Sequence, residues 1–308
     1  MTQVLALDVG GTKTAAGVVR RDGEVVTYVR AATPQSSGPQ DAEDVWACVV
    51  DVLDQVVAEE GDRYEAVGIG CGGPMEWPAG VVSPGNMPAW RGFPLLERVR
   101  ERYAGDRPIA IHNDAVALAV AEHRWGAGRG KDHVLGMVVS TGVGAGLVVG
   151  GRRVDGRTGN AGHIGHTIVD PDGEVCRCGA RGCLEPIARG PAIAAYAVAL
   201  GWDGEQSGIA VAQGAREGHP ACIAAFDRAG RAVGRAIASA AALLDLDVAV
   251  VGGGVSQAGD VFWTPLRASF HDHAGYGFVT SCRITEPMLG ATAGVAGAAA
   301  LVLATDAS

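Results

Sequence analysis

Four residues within a short stretch carry the most specific chemistry in this chain: His166, Cys176, Cys178 and Cys183. Three thiolates and one imidazole suit a tetrahedral Zn²⁺, and the small spacers Gly179 and Gly182 let the chain wrap around it. All four ligand positions would be filled by protein. No place remains for a water nucleophile, so such a site is structural. Free thiols are the plain alternative, although adjacent reduced thiols beside a histidine rarely occur without a metal. Cys48, Cys71, Cys222 and Cys282 lie outside the cluster and read as buried packing residues.

Three glycine-rich turns form a second set: Asp8-Val9-Gly10-Gly11-Thr12-Lys13, Ser140-Thr141-Gly142-Val143-Gly144, and Gly252-Gly253-Gly254. Consecutive glycines let backbone N–H groups approach phosphate oxygens without Cβ obstruction. Asp8 could orient Mg²⁺ through its water shell. The first turn is not a Walker A loop, because a strand follows it and the Gly-x-x-x-x-Gly-Lys-[Ser/Thr] spacing is absent. A single Gly-Gly hairpin is most often only a turn. Three at strand ends in one chain point to a nucleotide. Asn113-Asp114, where a strand meets a helix, has two readings. Asp114 is either an N-cap or a carboxylate that takes a hydroxyl proton during phosphoryl transfer.

The elements that must hold these groups follow from the pattern. Val4–Asp8 reads as a buried strand, Thr14–Val19 as the next, and Arg21–Glu24 as a hairpin tip. The same strand–turn–strand order recurs at Leu135–Val139, Ser140–Gly144 and Ala145–Val149, which suggests an internally duplicated α/β protein with a cleft between halves. Ala42–Glu60 and Ala291–Leu303 read as helices, Ala66–Cys71, Pro108–His112 and Val248–Val251 as strands. A further helix starts at Ala115, and Ala-rich helices run to about Leu244. This alternation is α/β architecture. The chain is expected to exchange near residues 113 and 290. The expected domains are therefore 1–113 with 290–308, and 114–289 carrying the cysteine loop.

The 308 residues are 48% hydrophobic and 19% charged, enough to bury a sizeable core. Net charge is −9 and no long Lys/Arg run occurs, which argues against nucleic acid as a partner. No membrane span is expected, since the most apolar stretch is interrupted by Arg235, Asp245 and Asp247. The N-terminus lacks the character of a signal peptide. Seven cysteines, an odd number, fit a reducing cytoplasmic setting better than disulfides.

The three glycine turns and the Cys-x-Cys-Gly-x-x-Gly-Cys run resemble the ROK family (repressors, open reading frames and kinases), within the actin-like ATPase superfamily. The likeness runs from residue 4 to about 300. It implies a two-domain actin-like, ribonuclease H-like α/β fold with an interdomain cleft, ATP with Mg²⁺, a structural zinc ion, and a homodimer or homotetramer. Asp8, Gly10, Gly11, Thr12, Lys13, Thr141, Gly142 and Gly144 match the family's phosphate motifs, and Gly252, Gly253 and Gly254 its adenosine motif. The likeness also implies transfer of the ATP γ-phosphate to the 6-hydroxyl of a hexose or N-acetylhexosamine. Asn113 and Asp114 then match the sugar-binding Asn and the catalytic Asp. His166 and Glu185 match sugar contacts, with His166 serving zinc and sugar from opposite ring nitrogens. Asn86, in a Pro-Gly-Asn loop, is a further sugar candidate and equally a plain turn residue.

One residue departs from the family text. Glu-x-Gly-His is usual, whereas this chain reads His163-Ile164-Gly165-His166. A carboxylate only accepts hydrogen bonds, while an imidazole can donate one. The run resembles N-acetylmannosamine kinases of the family, where a donor would suit an acetamido carbonyl. The other reading is a tolerated exchange in a glucose kinase. Repressor members carry a DNA-binding segment ahead of the kinase-like body, and here the first turn begins at residue 8. A repressor, or a sugar sensor without activity, is therefore the weaker expectation.

Overall fold

The structure is a computed structural model that describes residues 3–35 and 37–303. The described chain divides into two compact units: residues 3–130 with 153–161 and 288–303, and residues 131–152 with 162–287. The division differs from the expected one. Helix 114–125 belongs with the first unit, because it packs on the C-terminal helix of that unit. The chain therefore leaves at about residue 130, not 113, and returns briefly at 153–161.

The first unit begins with β1 (Gln3–Val9), β2 (Lys13–Arg20) and β3 (Val25–Ala32), then α1 (Ala42–Glu60) and β4 (Ala66–Cys71). A small hairpin of β5 (Met75–Glu76) and β6 (Val81–Val82), helix α2 (Leu95–Val99), β7 (Ile109–Asn113) and α3 (Asp114–Trp125) follow. The main sheet has the order β3-β2-β1-β4-β7. β1 to β3 are antiparallel neighbours, and β4 and β7 run parallel to β1. β1 and β4 are apolar along their length because the sheet is covered on both faces.

The second unit holds β8 (Val134–Val139), β9 (Val143–Val149), β10 (Arg152–Arg153, of which Arg153 is counted with the first unit), α4 (Glu185–Ala188), α5 (Gly190–Ala199), α6 (Gly208–Arg216), α7 (Pro220–Leu244), β11 (Val248–Gly252), α8 (Asp260–His273), α9 (Gly277–Thr280) and β12 (Arg283–Thr285). Its sheet order is β10-β9-β8-β11-β12. β8 is antiparallel to β9 and β11 is parallel to β8 and β12. The sheet of the first unit is thus repeated strand for strand, as the sequence pattern suggested. In α7, Gly230 and Gly234 lie one turn apart and face the backbone of α8, where a Cβ at Gly230 would come within 2.7 Å of Phe262 O.

The closing helix α10 (Ala293–Leu303) returns to the first unit. Its small residues matter for packing: a Cβ on Gly68 of β4 would overlap the Ala298 carbonyl, and one on Gly297 would stand 2.8 Å from Ala117 C. The other face of the sheet is covered by α1, whose Val45, Val49, Val52, Leu53 and Val56 form an apolar stripe at helical spacing. Among the described residues, no helix is long and apolar enough to cross a membrane.

Candidate functional site

In the first unit, three parallel strands end side by side and bring two carboxylates together. Asp8 on β1 is in register with Gly70 on β4, and Gly70 with His112 on β7, one residue before Asn113-Asp114. Gly70 keeps the space between them open: a Cβ there would lie 3.6 Å from Asp8 Oδ1 and 3.9 Å from Asp114 Cα. Burial, followed by the nearby Asp114 charge, pushes Asp8 up to about 7, with Lys13 opposing. Asp8 also lies against the first turn of α10, where a Cβ on Gly294 would overlap its carboxylate. Cys71, at the end of β4, is buried, and burial pushes its thiol well above the usual range. It is packing, as expected.

The β1–β2 turn is fastened from below. Gly10 N–H donates to Lys13 O at 3.0 Å, and Thr33 N–H to Thr12 O at 3.2 Å. The Thr33 hydroxyl donates to Gly10 O at 2.7 Å, so Thr14, 2.9 Å away, must donate to Thr33. Thr12 and Lys13 are left exposed. Asn86 stands over this turn: its Cγ would be 2.8 Å from a Cβ on Gly11. Gly11 is therefore required for the approach of Asn86 as well as for any phosphate. The structure places Asn86 at the β1–β2 turn of the first unit.

The N-cap of α3 is Asn113, not Asp114. Asn113 Oδ1 accepts from Ala115 N–H at 3.0 Å, and Asp114 Oδ1 accepts from the same group at 2.8 Å. Asp114 is the first helical residue, where the helix dipole favours its negative charge. The chain folds this way because an Asn cap ends the apolar strand Ile109–Ile111 and starts a run of strong helix formers.

The second unit gathers the remaining motifs. Ser140 N–H donates to Gly142 O at 2.8 Å, and Gly190 N–H to Ser140 O at 2.8 Å, closing the turn that holds Thr141, Gly142 and Gly144. β11 ends next to β8, so Gly252 pairs with Val138. Gly253 has a left-handed φ of 97°, and a Cβ there would overlap Val139 O. A Cβ on Gly254 would be 3.8 Å from Ser140 Oγ. The second and third glycine motifs therefore share one place.

His163 and His166 flank a single helical turn, with His166 N–H donating to His163 O at 3.0 Å. Gly162 and Gly165 press this turn onto β9, since Cβ atoms there would overlap Ala145 O and Val143 O. The two rings lie with centroids 6.3 Å apart and planes 19° from parallel. Glu185, 4% exposed, uses both carboxylate oxygens. Oε2 accepts from Val143 N–H at 3.0 Å, and Oε1 meets Arg177 Nη2 at 2.9 Å. Glu185 thereby ties the cysteine loop to the β8–β9 turn.

The four cysteine-loop residues converge, their ligand atoms all within 4.8 Å of one another. Cys178 Sγ is 3.6 Å from Cys183 Sγ, and Cys176 Sγ is 3.7 Å from His166 Nδ1. Tetrahedral zinc with Zn–S of about 2.3 Å and Zn–N of about 2.0 Å would set such pairs roughly 3.5–3.8 Å apart. The donors therefore fit Zn²⁺. His166 turns Nδ1 to the thiols, which leaves Nε2 on the opposite edge of the ring. Gly182 has a φ of 78° and lies on the Asp170 carbonyl, so the wrap of this loop depends on it.

Several contributors escaped the sequence reading. His112 is fully buried beside Asn113, and Glu122 is a fully buried carboxylate on α3. Glu122 accepts from Ala127, Met288 and Leu289 N–H groups at 2.8–3.1 Å. Their signal is present but weak: each is a polar residue inside an apolar run.

Comparison with known proteins agrees with this geometry. The profile of the ROK family matches residues 4–305. The chain belongs to the ROK family. It is 31% identical to a glucokinase of Thermotoga maritima over 97% of each chain. It is also 35% identical to an N-acetylmannosamine kinase of Yersinia pseudotuberculosis, covering 84% of this chain and 85% of that one. Among solved structures, a ROK family glucokinase from Streptomyces griseus in complex with glucose and AMPPNP superposes with a TM-score of 0.80 at 35% identity, over 97% of this chain and 99% of that one. The fold is that of the actin-like ATPases, as these ROK neighbours have it.

Proposed function

We propose that this protein is an ATP-dependent sugar kinase that transfers the γ-phosphoryl group to the 6-hydroxyl of a hexose. The observation that carries the reading is the pair Asp8 and Asp114, set at the ends of β1 and β7 on either side of Gly70 of β4. Asp114 is the general base: it takes the hydroxyl proton as the sugar oxygen attacks phosphorus in line. Asp8, partly buried at the end of β1 beside Asp114, would help hold the Mg²⁺ that accompanies ATP, which would neutralise charge on the phosphates. Backbone N–H groups of residues 10–13 and 141–144 receive the phosphates, and Gly252–Gly254 gives the adenosine close approach. Asn113, His166 through Nε2, Glu185 and Asn86 contact the sugar.

His166, Cys176, Cys178 and Cys183 would hold a structural zinc ion in the cysteine loop. Zinc supplies rigidity and takes no part in proton or phosphoryl movement. Reduced thiols in such a cluster suit the cytoplasm, and a homodimer or homotetramer is the expected assembly.

His163 and the Yersinia relative favour a second reading, an N-acetylmannosamine kinase. An imidazole donor beside His166 would meet the acetamido carbonyl. Purified protein with ATP and Mg²⁺, offered glucose, mannose and N-acetylmannosamine while ADP release is followed, tests both readings. Phosphorylation of none of the three would overturn the kinase proposal.

A further inference from the structure

We propose that His112 and Asp155 are a positioning pair for phosphoryl transfer, holding the Asn113-Asp114 turn in its working geometry. The proposal rests on the reading of Asp114 as the base. His112 closes the apolar strand Ile109–Ile111 and is fully buried. Its Nδ1 lies 2.8 Å from Asn113 N and can only accept that N–H. The ring proton therefore sits on Nε2, which donates to Asp155 Oδ1 at 3.1 Å. Both nitrogens of a neutral imidazole are used, and the tautomer is set by its partners.

Asp155 comes from the 153–161 segment, the short return of the chain to the first unit. It is itself fixed. Arg153 engages both of its oxygens, and its carbonyl accepts from Ala161 N–H at 3.1 Å. Burial raises the Asp155 pKa, but hydrogen bonds from His112 and Arg153 outweigh it and hold the group at about 2. The acceptor is thus an ionised carboxylate at any working pH. Trp77 closes one side of the imidazole, with ring centroids 6.0 Å apart. Gly159, with a φ of 75°, lies so close to Trp77 that a Cβ at that position would overlap it.

The consequence falls on Asn113. It is the last residue of β7, the edge strand of its sheet, and the N-cap of α3. The direction of its N–H is coupled to the turn from which Asp114 projects. His112 fixes that N–H, and Asp155 fixes His112. A base displaced by about 1 Å can lose on the order of 100-fold in rate. The pair touches no substrate in this account and acts through Asp114.

The test compares kcat, sugar KM and ATP KM for His112→Ala, His112→Asn, Asp155→Ala, Asp155→Asn and Asp114→Asn, with ¹⁵N NMR of the imidazoles in the wild type. The two alanine variants are expected to lose between about 10-fold and 100-fold in kcat, with ATP KM within a factor of about two. His112→Asn, whose Oδ1 can replace Nδ1 as acceptor, and Asp155→Asn, which keeps an acceptor oxygen, should recover most of the loss. NMR should show the Nε2–H tautomer of His112. A melting temperature that falls while kcat per folded molecule stays unchanged in both alanine variants would reduce the pair to packing and overturn the proposal. A proton found on Nδ1 would overturn it too. If His112→Ala does not fold, the Asp155 variants and the tautomer decide. An active Asp114→Asn refutes the base reading by itself, whereas an inactive one with unaffected alanine variants refutes the pair alone.

Discussion

Asp8→Asn should make the free protein more stable while removing its activity. Asp8 is a carboxyl whose folded-state pKa is raised from 3.8 to about 7, first by burial and then by Asp114. An acid with a raised folded-state pKa gives a stability contribution that is complete below the unfolded value and lost as pH climbs through the folded one. The window runs from about pH 4 to pH 7. The full shift corresponds to a ceiling of about 4 kcal/mol. Asp8 is only partly shielded from solvent, and roughly half of that, about 2 kcal/mol, is the working expectation. Asparagine keeps the shape and removes the charge. Thermal unfolding without nucleotide should show Asp8→Asn melting a few degrees above wild type at pH 8, where about 2–4 °C accompanies each kcal/mol in larger domains. The gap should shrink below pH 7 and close near pH 4. Mg²⁺ with a nucleotide should stabilise wild type more than the variant. A variant that melts lower than wild type at pH 8, or a gap independent of pH, would refute the argument.

Three further outcomes follow from particular contacts. Glu122→Ala removes the buried acceptor shared by three N–H groups, of Ala127, Met288 and Leu289. It should cost about 3–5 kcal/mol, read by urea denaturation, while Glu122→Gln costs less. Gly182→Ala forces a Cβ into the Asp170 carbonyl at a left-handed φ. It should abolish zinc stoichiometry measured by atomic emission. His163→Glu should shift preference from N-acetylmannosamine toward glucose by at least about tenfold, of the order set by one hydrogen-bonding group in a pocket. An unchanged ratio of kcat/KM would remove His163 from specificity.

Much of the site was legible because its parts are local. The cysteine cluster spans one loop, and the three glycine turns each sit at the end of a single strand, so spacing alone brings their atoms together. The repeated sheet order could be anticipated from the two strand–turn–strand units. What the sequence hid lies in contacts between distant residues. Asn86 over Gly11 requires the loop 72–94 to fold back on the first turn. Asp155 against His112 requires the chain to re-enter the first unit for a few residues, which no composition change marks. The boundary was misplaced at residue 113 because strand-to-helix transitions look like domain edges. Only the packing of α3 on α10, built from Ala117 and Gly297, shows that the unit continues. Arg177 falls between Cys176 and Cys178, where nothing in the sequence marks a partner, and it engages Glu185, which a Val143 N–H also holds. The loop reaches the second turn through that carboxylate.

The central claim is that Asp114 takes the proton from the sugar hydroxyl. Its most direct measurement is steady-state ADP release by Asp114→Asn against wild type, with saturating Mg²⁺–ATP and the best sugar of the panel. With Asp114 as the base, kcat should fall by about 10²- to 10⁴-fold, the usual share of a general base, with the ATP KM changed by no more than a few-fold. A variant that keeps most of its kcat would contradict it.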